Sequence, residues 1–458
     1  MKLNGADIKR VYFIGIGGIG MSALARYFHE HGVKVSGYDR TPSALCRELE
    51  QEGISIHYDE NLDAIDHQAD MVVYTPAVPA DHSELLYYRH QGYPLFKRSE
   101  VLGMICKGMN TIAVAGTHGK TTTTTLIAHI LRHCGRTPYA FLGGISANYH
   151  TNYWRGIEPI VVAEADEYDR SFLQLQPYIA VVTATDPDHL DIYGTVEAMQ
   201  DAYLQFAQQL KPGGYLIYHK GIAREHEWRK IATWSYHLSD QKADFYAVDV
   251  RIHDGAYHFN VRAREMLIED LCLHTGGLYN VENAVAAIAV VRQLGIEAEQ
   301  IREAIQLFKG VKRRFEYVLK REDIVFIDDY AHHPQELKAL LTSARALYPG
   351  RPLHIAFQPH LYSRTRDLAQ EFAASLDLAD EVWLLPIYPA RELPIAGVSS
   401  ELIRDKMQKA KVSCVDKDAL IVQIAEKKPS LFITAGAGDI DQLIPKIVHI
   451  YQSNTYAA

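Results

Sequence analysis

Five cysteines in 458 residues, Cys46, Cys106, Cys134, Cys272 and Cys414, make no CxxC pair and no even-numbered framework, so their spacing suggests neither a disulfide scaffold nor a structural zinc site. A reducing compartment fits that usage. Long apolar runs are missing as well: nothing reaches the ~18 residues that a membrane span needs. The opening MKLNGADIKR lacks the apolar core of a secretory signal, and the expectation is a cytoplasmic protein with no membrane partner. Positive charge is in deficit, with 47 Lys plus Arg against 56 Asp plus Glu and a net charge of -9, which argues against a surface built for nucleic acid. There is no internal repeat and no low-complexity linker, so any hinges are short. What is present is a chain 48% hydrophobic and 22% charged, long enough for ~3 domains at roughly 100 to 200 residues each.

The first hundred residues alternate strand-like and helical runs. VYFIGIG is followed by a helix from Met21 to His31, VKVSGYD by a second helix near Ser43 to Glu52, and MVVYTPAV closes a βαβαβ rhythm typical of a parallel sheet. A new strand, NTIAVAG, starts at Asn110 after the polar CKGMN, and further buried-strand runs follow at IVVAEAD and IAVVTAT. A nearly apolar helix runs from Tyr279 to a glycine stop at Gly295, and after FKGVKRRFEYV the strand signals IVFIDDY, LHIAF, EVWLLPIY and SLFITAG define a third α/β unit. The expected domains are 1–108, 109–318 and 319–458.

Gly15, Gly17, Gly18, Ile19 and Gly20 lie between a hydrophobic strand and a helix, where backbone N–H groups meet a diphosphate, and Asp39 ends the second strand, where an acid meets a ribose hydroxyl. A dinucleotide is one ligand for that loop; any nucleoside diphosphate is another. Gly116, Thr117, His118, Gly119, Lys120, Thr121 and Thr122 form a more specific signal. They join the strand TIAVAG to a helix, so their amides can cradle phosphates while Lys120 neutralises phosphate oxygens and Thr121 holds Mg²⁺. Val114 stands where the strict motif has its first glycine. Acids at the ends of buried strands, in AEADEYD from Ala163 to Asp169 and in DPDHLD from Asp186 to Asp191, are costly unless they hold a cation or a partner, and hard oxygens with a histidine there can hold Mg²⁺ beside the loop. Three later clusters are weak singly: Tyr279-Asn280-Val281-Glu282-Asn283, Lys312-Arg313-Arg314, and Asp328-Asp329-Tyr330-Ala331-His332-His333-Pro334. QPHLYSRTR, from Gln358 to Arg366, puts positive charge at a strand's carboxyl end, where an anionic substrate would sit.

Together, GTHGKTTT, EADE.D.SFL.LQP, DDYAHHP and FQPH.YSRTRDL resemble the Mur ligase family, ATP-dependent amide-forming enzymes of peptidoglycan precursor synthesis, and most closely its alanine-adding branch. The similarity runs from Gly15 to about Arg366. It implies an α/β fold of three domains: an N-terminal Rossmann-like domain for a UDP-sugar, a central P-loop ATPase-like parallel sheet and a C-terminal Rossmann-like domain. The implied reaction joins L-alanine to the carboxylate of UDP-N-acetylmuramate through an acyl phosphate, giving ADP and phosphate, in a monomer or homodimer. A recycling relative that joins a tripeptide to the same sugar nucleotide is the alternative, favoured by EADEYD and disfavoured by SFLQLQPYIAVVT. An oxidoreductase using the first glycine loop would leave GTHGKTTT without a role.

The resemblance also assigns residues. The N-terminal loop, Asp39, the turn Thr75-Pro76-Ala77 and Glu167 would serve the UDP-sugar; Thr121, Glu164 and His189 would bind Mg²⁺; Asn280 and Asn283 would meet adenine; Arg314 and Asp329 would reach ATP. Tyr330, His332 and Arg364 would lie near the reacting groups, with Lys120, His332 and Arg364 catalytic. The chain departs from the family at Tyr279, where members usually have His, and at Leu361, where alanine-adding members have Arg. Residues 190 to 210 contain no lysine, unlike later ligases of the pathway, which carry a carbamylated one there.

Overall fold

Strands buried on both faces read as unbroken apolar runs, and β1 (Arg10–Ile14) is one, with Val11, Tyr12, Phe13 and Ile14 fully buried. In the computed structural model, which describes residues 1–390 and 392–452, it is the centre of a five-stranded sheet. Its partners are β2 (Lys34–Tyr38), β3 (Ser55–His57), β4 (Met71–Tyr74) and β5 (Leu95–Lys97), in the order β3-β2-β1-β4-β5 and all parallel. That is the dinucleotide-fold order, and the strand order reverses beside β1, where the glycine loop leaves the sheet. Helices α1 (Ile19–Glu30), α2 (Ala44–Gln51), α3 (Ser83–His90) and α4 (Arg98–Cys106) make the crossovers. The two helices expected from periodicity match α1 and α2 within two residues.

The next sheet is built on β6 (Asn110–Ala115), which feeds helix α5 (Lys120–His133). It continues with β7 (Tyr139–Phe141), β8 (Tyr153–Trp154), β9 (Ile160–Glu164), β10 (Ile179–Val182), β11 (Tyr215–His219) and β12 (Trp234–His237). Their order is β8-β7-β9-β6-β10-β11-β12, parallel except for the β8 edge. The phosphate-loop strand β6 is therefore central, with β9 and β10 at its sides, so the acids at their carboxyl ends arrive beside the loop. β13 (Phe245–His253), β14 (Ala256–Ala263) and β15 (Met266–Leu273) follow. They alternate buried and exposed residues, a period-2 signal that the motif-led reading of the chain passes over. Helix α6 (Val196–Gln208) joins β10 to β11, and helix α7 (Leu278–Gln293) is buried from Ala284 through Val291 without a polar face, as its apolar sequence requires.

The third sheet has the order β16-β17-β21-β18-β19-β20, formed by β16 (Glu316–Lys320), β17 (Val325–Asp329), β18 (Leu353–Phe357), β19 (Glu381–Leu384), β20 (Lys411–Cys414) and β21 (Leu431–Ala435). Only the β16 edge is antiparallel. Helices α8 (Pro334–Leu347) and α9 (Tyr362–Asp367) follow β17 and β18. By their contacts the residues divide into two units, 1–248 with 260–271 and 282–307, and 249–259 with 272–281 and 308–458. Among the described residues no helix is long and apolar enough to cross a membrane.

Candidate active site

In the first unit the chain leaves β6 through a loop whose backbone demands glycine twice. Gly116 has φ 132° and Gly119 φ 78°. A β-carbon at 116 would run into Thr183 Oγ1 and stand 2.7 Å from Ala184 N, and one at 119 would stand 2.5 Å from Asn283 Oδ1. Thr183 Oγ1 donates to Ala115 O at 3.1 Å and also to His118 O, and Thr117 N donates to Ala184 O at 3.2 Å. These bonds lash the loop to the end of β10 and leave the head of α5 as an anion-binding helix N-terminus. Thr121 is buried there, Thr122 is half-buried, and Thr123 Oγ1 donates to Asn283 Oδ1 at 3.3 Å.

Lys120 Nζ donates to Gly116 O at 2.7 Å and to Glu167 at 2.8 Å. Burial alone would lower the lysine pKa, but Glu167, Glu164 and Asp166 outweigh it and hold the pKa above the ordinary value, so the ammonium stays charged. Glu167 is 1% exposed and is drawn inward by this pairing. His189, at φ 50°, brings Nε2 to 3.9 Å from Glu167 Oε1 and 3.7 Å from Asp188 Oδ2, and donors of these three side chains lie within 4.8 Å of one another. Of the three expected Mg²⁺ ligands, His189 thus converges with Glu167 and Asp188. Glu164 packs its carboxylate against Gly143, and Thr121 sits at the head of α5.

The remaining acids of the 164–169 segment meet bases that sequence reasoning missed. Lys97 Nζ lies 2.6 Å from Asp169 Oδ2, and Arg98 Nη2 lies 3.3 Å from Asp166 Oδ2. The Arg98 side chain also abuts Gly20, so it stands between the N-terminal glycine loop and the acidic segment. The available signal was Lys97-Arg98 at the end of β5. Asn152, fully buried, accepts from Arg26 Nη1 at 2.5 Å and donates to Ile19 O at 2.5 Å and Ser22 Oγ at 2.9 Å, fixing α1 against the chain before β8. No local pattern marks that residue. In the glycine loop, Gly15 N and Ile16 N donate to Tyr38 O, and Gly18 N donates to Gly15 O. Asp39 accepts from Gly17 N at 2.8 Å and Thr41 N at 3.0 Å, so it braces the loop from below. Thr75, Pro76 and Ala77 form a turn after β4, and Gly15 faces Thr75 Cγ2.

The second unit gathers its own expected residues. Asp329 ends β17 and accepts from Phe315 N at 2.6 Å and Ala331 N at 2.7 Å; burial, opposed by those bonds and Arg314, pushes its pKa up to about 6. The Arg314 guanidinium lies 5.6 Å from the Tyr330 ring centroid, and Tyr330 N donates to Arg313 O. His332 Nδ1 lies 3.0 Å from Tyr330 O, which as an N–H donor leaves Nε2 as the basic nitrogen. Burial lowers the His332 pKa, Arg364 and Arg314 lower it further, and Glu336 opposes them. Glu336 accepts from His332 N at 2.9 Å and His333 N at 3.1 Å, closing a capping box on α8 with Pro334 at its first turn. His360 lies 6.0 Å from the His332 ring, and burial pushes its pKa down to about 4. Arg364 Nη1 is buried with no hydrogen-bond partner, a donor built for an anion. Leu361, where an arginine was expected, holds φ 71° in the turn before Arg364, so the departure from the pattern coincides with backbone strain. Asn280 Nδ2 donates to Gly276 O at 2.6 Å.

Comparison with known proteins follows this architecture. Three family models match: the Mur ligase family catalytic domain over residues 10–109, the Mur ligase middle domain over 114–291, and the Mur ligase glutamate ligase domain over 313–438. The UDP-N-acetylmuramate--L-alanine ligase of Porphyromonas gingivalis is 47% identical over 97% of this chain and 100% of its own length. The same-named protein of Flavobacterium johnsoniae is 45% identical over 99% and 100%. Among solved structures, the UDP-N-acetylmuramate-alanine ligase of Thermotoga maritima superposes with a TM-score of 0.84 at 29% identity, covering 97% of this chain and 99% of that one. A murein peptide ligase from Psychrobacter arcticus, 22% identical, shares the fold with a TM-score of 0.69 over 96% and 98%.

Proposed function

The chain belongs to the Mur ligase family, and on that premise we propose that it joins the amine of L-alanine to the carboxylate of UDP-N-acetylmuramate while ATP becomes ADP and phosphate. The observation that carries this reading is Lys120, half-buried, charged and fixed at the head of α5 in a loop that demands glycine at 116 and 119. That cradle fits a triphosphate, and the hard oxygens of Glu167 and Asp188 with His189 fit Mg²⁺. Magnesium ATP, when bound, supplies the phosphoryl group that converts an unreactive carboxylate into an acyl phosphate.

The chain's own groups do the rest. Lys120 and the amides of residues 118 to 121 stabilise charge on the transferred phosphoryl group. Asn280 and Asn283, with Arg314 and Asp329, serve the nucleotide. The glycine loop at 15–20, braced by Asp39, receives the sugar diphosphate. Arg364 offers its unpartnered N–H to an anionic substrate. His332, held neutral by burial and nearby arginines, takes the proton that the alanine amine must lose. Three domains, with boundaries near residues 108 and 318, divide these tasks.

The test is phosphate release from ATP and UDP-N-acetylmuramate with Mg²⁺, comparing L-alanine with L-Ala-γ-D-Glu-diaminopimelate as acceptor. Release driven by alanine, with a product one alanyl residue heavier, is expected. Release driven only by the tripeptide would replace this reading with the recycling reaction.

A further inference from the structure

The N-terminal glycine loop ends in a glycine that no turn requires. Gly20 lies in the first turn of α1 with no left-handed backbone, yet a β-carbon there would stand 2.9 Å from both Cδ and Nη1 of Arg98. The side chain that claims this space comes from the first residue of α4 and lies across the head of α1. A cation is poorly placed there. The first-turn N–H groups of a helix have no intrahelical acceptor and form the positive end of its dipole, and α1 has neither a capping side chain nor an acid in its first turn to offset it. The guanidinium itself is incompletely neutralised. Its one hydrogen bond among the described residues runs from Nη2 to Asp166 Oδ2 at 3.3 Å, and that carboxylate is 39% exposed. The neighbouring Lys97 makes a closer pair, with Nζ 2.6 Å from Asp169 Oδ2.

We propose that Arg98 binds the diphosphate of the sugar nucleotide, its guanidinium and the first-turn amides of α1 gripping the phosphate oxygens together. The inference rests on the ligase reading of the glycine loop and adds to it a residue that the loop's own pattern does not contain. A diphosphate supplies what this arrangement lacks: anionic oxygens at the head of the helix and acceptors for a forked set of N–H donors. Asp166, partly solvated, holds the guanidinium beside the loop without using up its donors. The last glycine of the loop then has a reason. Only a hydrogen at position 20 lets the arginine lie across the helix backbone. A purely structural tie between the start of α4 and the acids at 166–169 is already made by Lys97, and it does not require a side chain to cross Gly20. No local pattern announces Arg98, because the loop it serves lies about eighty residues earlier in the chain.

The experiment is calorimetric titration of the full chain with UDP-N-acetylmuramate in the absence of ATP, where no reaction can follow, with a separate ATP titration as reference. Arg98→Met should bind the sugar nucleotide at least ~10-fold more weakly than the wild type and ATP within about 2-fold of it. Arg98→Lys, which keeps the charge and loses the fork, should lie between the two. Asp166→Asn separates a phosphate ligand from a brace. It breaks the ion pair and leaves the guanidinium, so affinity for the sugar nucleotide should hold or rise, whereas a brace would lose it as Arg98→Met does. Wild-type affinity in either folded arginine variant, or a loss in Asp166→Asn equal to that in Arg98→Met, would overturn the proposal alone. A wild-type chain that binds no UDP-N-acetylmuramate would overturn the ligase reading of the loop and the role of Arg98 with it.

Discussion

Lys120 has two duties, and they separate experimentally. Its side chain is 14% exposed and its partner Glu167 2%, so truncation removes the phosphate ligand and also strands a buried carboxylate. Lys120→Ala should therefore abolish phosphate release and lower thermal stability, the stranded charge costing roughly 3 to 5 kcal/mol. Lys120→Arg, which keeps the charge, should restore much of the stability and little of the rate. Calorimetry beside the phosphate assay reads both, and turnover retained in Lys120→Ala would remove the loop from the chemistry. For His332 the expected signature is in the pH profile. Its depressed pKa keeps the imidazole neutral through the physiological range, so kcat should fall only on the acid side, below the ordinary histidine value. His332→Gln should lower kcat by about 100-fold or more and erase that acid limb, with a smaller change in the KM for alanine. An unchanged limb in the variant would assign it to another group.

At the scale of elements, legibility followed local chemistry. The strand–glycine–helix joints at 15–20 and 116–120 and the capping box His333-Pro334-Gln335-Glu336 are written in adjacent residues, and the structure folds them as such. Asn152, Lys97 and Arg98 work only through partners remote in sequence, Arg26, Asp169 and Asp166, so no window along the chain displays them. Glu164 and Glu167 show the boundary case: both were recognised as significant acids, but which one faces His189 depends on how the chain turns after β9. Two element-level outcomes follow. Gly119→Ala forces a side chain at φ 78° against Asn283, a strain of about 1 to 3 kcal/mol, and should raise the KM for ATP by at least ~10-fold. An unchanged KM would show that the loop can relax. Asn152→Ala leaves the Arg26 guanidinium, 6% exposed, short of an acceptor and should destabilise the first unit by about 1 to 3 kcal/mol, read as a lower Tm with ATP binding retained.

Across the whole molecule, three parallel-rich sheets were foreseeable from alternating strand and helix runs, whereas β13 to β15 were not, because their alternation carries no motif. Stability is likewise a property of the whole fold, and His129 gives it a directional pH dependence. This residue lies inside α5, with Nε2 2.8 Å from Ala304 O and Nδ1 3.0 Å from the Tyr149 hydroxyl. Burial, helped by His133 and opposed by the Ala304 bond, pushes its pKa down to about 4 from 6.5. The folded state therefore binds fewer protons than the unfolded one between those values, and stability must fall as pH falls through that window. Above pH 6.5 both states are neutral and the group costs nothing; at pH 5 the cost is about 2 kcal/mol. His129→Gln removes the titration while losing one hydrogen bond. The wild type should be the more stable at pH 7.5, and its advantage should shrink or reverse at pH 5 in thermal melts of the first unit. A stability gap equal at the two pH values would mean that His129 titrates alike in the folded and unfolded chain, and that the packing of α5 imposes no proton cost.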